Sequence, residues 1–195
     1  TVSLSNPVDV VVSAAANTSD GTAQASDGDY AAISGGTVTF AAGSTAPQTV
    51  TVGTTADAKV ELDETLSMIL NALSAGGRDV VFQGGGGTLT GAGTIANDDQ
   101  AVISITNVSE TEGTALSFTV SLSNPVDVAV SAAANTSDGT AKASDSDYTS
   151  IIGGTVTFAA GSTTPQTLTV GTTADAKVEL NETLSVILSA LSAGG

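Results

Sequence analysis

The chain of 195 residues contains no cysteine, histidine or tryptophan, and only 3% of its residues are aromatic. Without histidine or cysteine it has no Ser–His or Cys–His nucleophile system and no zinc site built on imidazole or thiolate ligands. Disulfides are excluded as well, so stability must come from packing or from bound ions. Paired carboxylates without aromatic sugar platforms or a cleft-building insertion also argue against a glycosidase. We therefore expect no catalytic residues and no enzyme.

Basic residues are scarce too, because 4 Lys+Arg stand against 20 Asp+Glu and give a net charge of -16. Four cations cannot cover a phosphate backbone, so we expect no nucleic-acid partner. No stretch approaches the about 18–20 consecutive apolar residues of a membrane span, and no signal peptide is visible, so we expect no membrane insertion. We expect the chain to come from inside a longer chain or from a matured one.

An internal repeat organises the sequence. Residues 1–77 recur as residues 119–195 without a gap, an offset of 119 − 1 = 118, and 66 of the 77 aligned positions are identical. This period is too long for a solenoid unit of about 20–50 residues but is typical of an independent domain. We therefore predict two tandem domains, 1–100 without its opening strand and 101–195 without its closing hairpin. Near-identical neighbours are typical of long arrays that arose by recent duplication.

The alternation of apolar and small polar residues predicts an all-β fold. Leu116, Phe118, Val120 and Leu122 alternate with serine and threonine, as in a half-buried strand. Turn signals such as Asn-Pro, Asp-Gly and Gly-Gly recur at strand-like spacing. About seven short strands per repeat favour an antiparallel β-sandwich. Residues 64–74 leave both a helix and a strand open.

The acidic residues are clustered, and they carry the chemistry of this sequence. One group begins at the turn after Asp20, a second lies in residues 57–64, and a third lies in residues 97–99. Because a sandwich gathers its loops at two ends, such carboxylates can converge. Oxygen ligands without histidine or cysteine suit Ca²⁺, with Mg²⁺ as the second choice. The alternative is a solvated acidic surface that keeps a secreted protein soluble.

Several motifs together resemble the Calx-β domain family. In residues 101–195 they are Val108-Ser109-Glu110 before Gly113-Thr114, then Ser137-Asp138-Gly139-Thr140-Ala141, Ser146-Asp147-Tyr148, the strand-like run 154–158 with Ala160-Gly161, and residues 178–184. Residues 1–100 supply the closing pattern, Gly93-Thr94-Ile95 followed by Asn97-Asp98-Asp99. The resemblance implies a seven-stranded immunoglobulin-like sandwich. The family is named from sodium/calcium exchangers, where two such domains sense Ca²⁺, and it occurs in many copies in bacterial surface proteins.

The resemblance also implies calcium ligands at one end of the sandwich. They are the acidic residues at the motif positions of the family: Glu110, Asp138, Asp175, Glu179 and Glu182, with Asp98 and Asp99, and in the first copy Asp20, Asp57, Glu61 and Glu64. Exchanger domains carry a run of acids where this chain has Ala56-Asp57-Ala58 and Ala174-Asp175-Ala176, and the closing triplet is one charge short at Asn97. Fewer carboxylates imply fewer ions or weaker binding.

These observations predict a calcium-binding structural repeat of an extracellular or cell-surface protein of bacterial, adhesin type, acting as a spacer, stalk or fibre. The expected partners are neighbouring repeats of the same chain and other copies of the same protein. Two alternatives stay open, namely a calcium-sensing regulatory module and a filament subunit whose missing edge strands come from another chain. A ligand-binding adhesin module would need a copy-specific aromatic insertion, and none is visible.

Overall fold

The computed structural model describes residues 1–194, and the chain divides into two compact units. The first unit comprises Thr1–Asp57 and Leu62–Asn97, and the second comprises Ala58–Glu61 and the chain from Asp98 onward. The regular elements of the described residues are β-strands and one short 3₁₀ helix, Ala143–Asp145. The all-β prediction is confirmed, and the domain division at residue 100 stays a prediction. Within this part of the chain, no helix is long and apolar enough to cross a membrane.

The first unit is built on one antiparallel sheet. Its strands are β1 (Val12–Asp20), β2 (Gly36–Phe40), β3 (Glu64–Ser74) and β4 (Leu89–Ile95), in the order β2-β1-β3-β4. Residues 64–74 therefore form a strand, which settles the ambiguity in their pattern. Alternation along β1 buries Val12, Ala14 and Ala16, which pack with Phe40 and Leu70 in the main core of this unit.

The second unit contains two three-stranded antiparallel sheets. Its strands are β5 (Ile103–Ile105), β6 (Leu116–Leu122), β7 (Val130–Asp138), β8 (Gly154–Phe158), β9 (Gln166–Val170) and β10 (Leu184–Ala193), in the orders β5-β6-β9 and β10-β7-β8. The alternation predicted for β6 is present, because Phe118, Val120 and Leu122 are buried while the residues between them are not. Val120 and Phe158 belong to the main core of this unit.

The two units display complementary parts of one seven-stranded repeat. Strands β1, β2 and β3 correspond to β7, β8 and β10 at the offset of 118, and the pair Val12↔Phe40 has the same register as Val130↔Phe158. Strand β4 is described only in the first unit, whereas β5, β6 and β9 are described only in the second. A single bridge, Val2↔Gln48, marks the place of the β6–β9 pairing in the first unit. The predicted strand number is therefore reached by combining the two units.

Candidate metal centre

The turn that follows β7 is organised by the carboxylate of Asp138. Its Oδ1 accepts hydrogen bonds from the Tyr148 hydroxyl at 2.6 Å and from the Ala143 N–H at 3.1 Å. These bonds lower the pKa of Asp138, the tyrosine hydroxyl being the larger cause, and the same contact raises the pKa of Tyr148. The Tyr148 ring is buried. Asp138 thus ties a loop at the end of the sandwich to the core.

The first unit repeats this arrangement. Asp20 Oδ1 accepts from the Tyr30 hydroxyl at 2.5 Å and from the Ala25 N–H at 3.1 Å, and the hydroxyl is the main cause of the lowered pKa of Asp20. Tyr30 is buried like its counterpart. The two tyrosines are therefore packing residues that close equivalent turns.

The same turn places Asp147 beside Glu182, which lies just before β10. The Lys142 N–H donates to Asp147 Oδ2 at 2.7 Å and fixes the carboxylate on one side. Its other neighbour is Glu182, whose pKa is raised by loss of hydration first, then by the negative charges of Asp147 and Glu179 and by a hydrogen bond with Asp147. Glu182 is thus held among like charges that disfavour its ionised form.

The first unit places the corresponding pair together as well. Asp29 and Glu64, at the same offset of 118 from Asp147 and Glu182, have carboxylate oxygens within 4.8 Å of each other, and both residues are half-buried. The Gln24 N–H donates to Asp29 Oδ2 at 2.7 Å, as Lys142 does in the second unit. The local sequence therefore builds the same acidic pair twice.

A second acidic group adjoins this pair in the second unit. Carboxylate oxygens of Glu112, Asp175 and Glu179 lie within 4.8 Å of one another, and all three residues are exposed. The Asp175 N–H donates to Glu112 Oε1 at 3.1 Å, which connects the loop before β6 with the segment between β9 and β10. Lys177 forms an ion pair with Glu179, and this contact is the main cause of the raised pKa of Lys177.

We call these five residues the acidic cluster: Glu112, Asp147, Asp175, Glu179 and Glu182. Calcium takes about 6–8 oxygen ligands, and carboxylates bind it through one or both oxygens. The cluster offers only carboxylate oxygens, and its members repel one another unless a cation lies between them. The donor set therefore fits Ca²⁺, which would be held by Glu112, Asp175 and Glu179 with help from Asp147 and Glu182.

The predicted ligands of the second unit divide into two sets. Asp175, Glu179 and Glu182 come together in the acidic cluster. Asp138 instead holds the turn after β7, while Glu110 is exposed in the loop between β5 and β6. Asp98 is exposed and Asp99 is half-buried, both between β4 and β5. The ligand roles of all these residues stay predictions.

The predicted ligands of the first copy have different surroundings. Asp20 closes its turn, Glu64 lies beside Asp29, and Asp57 is exposed. Glu61 belongs to the segment Ala58–Glu61 of the second unit and forms an ion pair with Lys59.

Three acidic residues at these places were not predicted as ligands, namely Asp29, Glu112 and Asp147. Asp147 lies within the Ser-Asp-Tyr motif that supports the family resemblance, and Glu112 is only two residues from Glu110. The signal was therefore present in the sequence. Choosing between neighbouring acids, however, required the positions of loops that are distant along the chain.

Comparisons with known proteins give one family and one described structural neighbour. The Calx-beta domain model matches residues 1–100 and again residues 97–195. No curated protein matches the chain. Four solved chains match, among them the crystal structure of CBD12 from CALX1.2, with 18% identity, 98% of this chain and 73% of that chain covered, and a TM-score of 0.40. The two family matches follow the internal repeat.

Proposed function

Since the chain belongs to the Calx-β domain family along both of its repeats, we propose that it is a calcium-binding structural repeat of an extracellular bacterial surface protein. Its role is that of a spacer, stalk or fibre in an adhesin-type protein. Calx-β domains are calcium-binding β-sandwich domains that are not catalytic, and they are typically extracellular or membrane-associated. The partners that we propose are neighbouring repeats and other copies of the same protein.

The observation that carries this proposal is the acidic cluster of the second unit. It draws on three separate segments: the loop before β6, the turn after β7, and the segment between β9 and β10. The carboxylates of these segments repel one another. Bound calcium would neutralise them and would link the three segments through shared coordination. A ligand that binds only the folded state stabilises it by mass action, so calcium would stiffen this end of the sandwich.

The mechanical role is supported by the identity of the repeats. The copies agree at 66 of 77 aligned positions, and the net charge of -16 keeps such molecules apart in solution. Repeats this similar would carry the same acidic residues along an array, which suits a uniform spacer. A sensor would instead change its shape strongly with calcium.

Thermal unfolding of the full chain tests calcium binding. The melting temperature should be compared in millimolar calcium and in chelator at matched ionic strength, with magnesium as the control cation. At about 100 times the Kd, calcium should add about 2.7 kcal/mol of stability to the second unit, which is about 11–22 °C for a unit of about 100 residues. No shift would leave the acidic residues as a solvated surface and the chain as a metal-independent spacer. An equal shift with magnesium would show non-selective screening of the carboxylates by divalent cations and would overturn the calcium site.

Variants of the cluster locate the site. Glu112→Gln and Glu179→Gln should each abolish most of the calcium-dependent shift, whereas Asp79→Asn, an equal charge change at an exposed site of the first unit, should leave it unchanged. Glu110→Gln tests the position implied by the family motif. Lys177→Gln should raise the calcium affinity several-fold, because Lys177 competes with the ion for Glu179. If Asp79→Asn lost as much of the calcium-dependent shift as the cluster variants, the shift would come from general screening of negative charge.

A further inference from the structure

The short segment Ala58–Glu61 shows how one piece of this chain docks on another within the second unit. Val60 forms a parallel bridge with Val126. The Val60 N–H donates to the Pro125 carbonyl at 2.9 Å, and the Val60 carbonyl accepts from the Asp127 N–H at 3.0 Å. The Val60 side chain packs against the core that contains Val126. The contact therefore consists of two backbone hydrogen bonds and one apolar anchor.

Both halves of this contact occur a second time in the sequence. Residues 176–180 are identical to residues 58–62, and we call them the docking segment. Residues 6–10 are identical to residues 124–128, and we call them the docking loop. Val178, the counterpart of Val60, is 99% exposed and has no bridge, and Val8, the counterpart of Val126, has none either.

The docking loop is already in the conformation that the contact uses. The Gly43 N–H donates to the Val8 carbonyl at 2.7 Å, just as the Gly161 N–H donates to the Val126 carbonyl at 2.7 Å. Arg78 binds both side-chain oxygens of Asp9 in this loop. A partner segment therefore meets a preformed surface.

We propose that the docking segment of one copy of this chain binds the docking loop of a second copy, in the way that Val60 binds at Val126. The two surfaces differ, so the contact is heterologous and extends head to tail instead of closing into a dimer. It resembles the addition of a strand to an exposed backbone edge. Its test is carried out in chelator, so its failure and the failure of the calcium proposal are distinguishable.

The expected affinity between separate molecules is low. One bridge with one valine buries far less than the about 1,000 Å² of a stable interface, and the net charge of -16 opposes approach. When copies are tethered, however, the effective concentration reaches the millimolar range, and such a weak contact becomes well populated. The contact would therefore act mainly along an array.

Because the chain lacks cysteine, cross-linking gives a clean test. Single variants Val8→Cys and Val178→Cys should be mixed in chelator at about 0.15 M ionic strength and then oxidised. Bridged residues on adjacent strands, about 4.8 Å apart, satisfy the Cα separation that a disulfide needs. We expect the mixed dimer to exceed its statistical share over the two homodimers, and the double variant to give a ladder of multimers.

The control replaces Val178→Cys by Ile152→Cys, which is 86% exposed in the same unit. Equal cross-linking of Val8→Cys with both partners would overturn the proposal. The pair Val60→Cys and Val126→Cys in one chain should form an internal disulfide, and its failure would remove the pairing from which the proposal is drawn. At about millimolar chain concentration, the range in which so weak a contact is populated, sedimentation equilibrium should show association that Val178→Asp abolishes and Ile152→Asp preserves. An unchanged Val178→Asp profile would also contradict head-to-tail docking.

Discussion

Asp138 and Glu182 show how two carboxylates at one end of the same sandwich take opposite electrostatic states. Asp138 accepts from the Tyr148 hydroxyl, so its pKa is lowered and its charged form stabilises the fold. The pKa of Glu182 is raised by partial loss of hydration and by the negative charges of Asp147 and Glu179, so its charged form is disfavoured. Asp138 thus holds the turn after β7, whereas Glu182 belongs to the acidic cluster, whose negative charges favour binding of a cation.

The tyrosine contact has a pH signature. The contribution of Asp138 is fully present above its unfolded pKa of about 3.9 and is lost as the pH falls through its lower folded value. Tyr148→Phe should therefore be less stable than the wild type at pH 7, and the gap should narrow below about pH 3.9. Urea unfolding at pH 7, 5 and 3 measures this gap. Glu182 has the opposite sign, because its repulsion fades as acid protonates it.

Tyr30→Phe is the matched variant in the first unit, where Asp20 takes the role of Asp138. It should show the same dependence on pH. A gap that stays constant from pH 7 to pH 3 would mean that the hydroxyl contributes through packing alone.

At the scale of elements, the turn after β7 is pressed against the segment that leads into β10. The Ala141 N–H donates to the Thr183 carbonyl at 3.0 Å, and the Thr183 N–H donates to the Thr140 hydroxyl at 2.8 Å. A Cβ at Gly139 would collide with the Thr183 carbonyl. The approach therefore requires glycine, and it aligns the loop of Asp147 with Glu182.

Gly139→Ala should push these two segments apart. We expect a loss of about 1–3 kcal/mol in the free energy of unfolding, as for other overpacked sites, together with a weaker calcium response. Chemical denaturation with and without calcium measures both. Gly171→Ala is the control, because a Cβ there would meet its nearest neighbour at an ordinary 3.9 Å. If Gly139→Ala and Gly171→Ala had equal free energies of unfolding, the close approach of Gly139 to the Thr183 carbonyl would not contribute to stability.

At the scale of the whole molecule, each unit has a core of its own. Phe40 lies in the main core of the first unit at 5% exposure, and Phe158 lies in that of the second at 1%. They are the same position of the repeat, 118 residues apart. The chain therefore offers a matched pair of core sites for asking whether the units unfold separately.

Phe158→Ala should destabilise the second unit by about 3–5 kcal/mol through the cavity that it creates. Hydrogen exchange followed by mass spectrometry should show faster exchange in β7 and β8 and unchanged exchange in β1 and β2. Phe40→Ala should give the mirror image. Loss of protection in both units from either substitution would instead indicate one cooperative unit.

Much of the fold follows from local sequence. The period-2 alternation of β6 predicts its buried residues, and the repeat predicts that β1 and β7 share one register. The acidic centre follows less completely. Residue type predicts a carboxylate site, but Glu112 and Asp175 meet across 63 positions, and the choice of Glu112 over its neighbour Glu110 depends on how two loops fold back.

The sequence by itself determined the all-β class, the repeat and the chemistry of an oxygen-ligand centre, because alternation, identity and residue type are properties of the chain read in order. Only the tertiary structure decided which acidic side chains lie together and which copy of a repeated segment is partly buried. The segments around Val60 and Val178 are identical, yet Val60 is bridged and half-buried whereas Val178 is 99% exposed. The reason is physical, since burial depends on what lies opposite a residue in space.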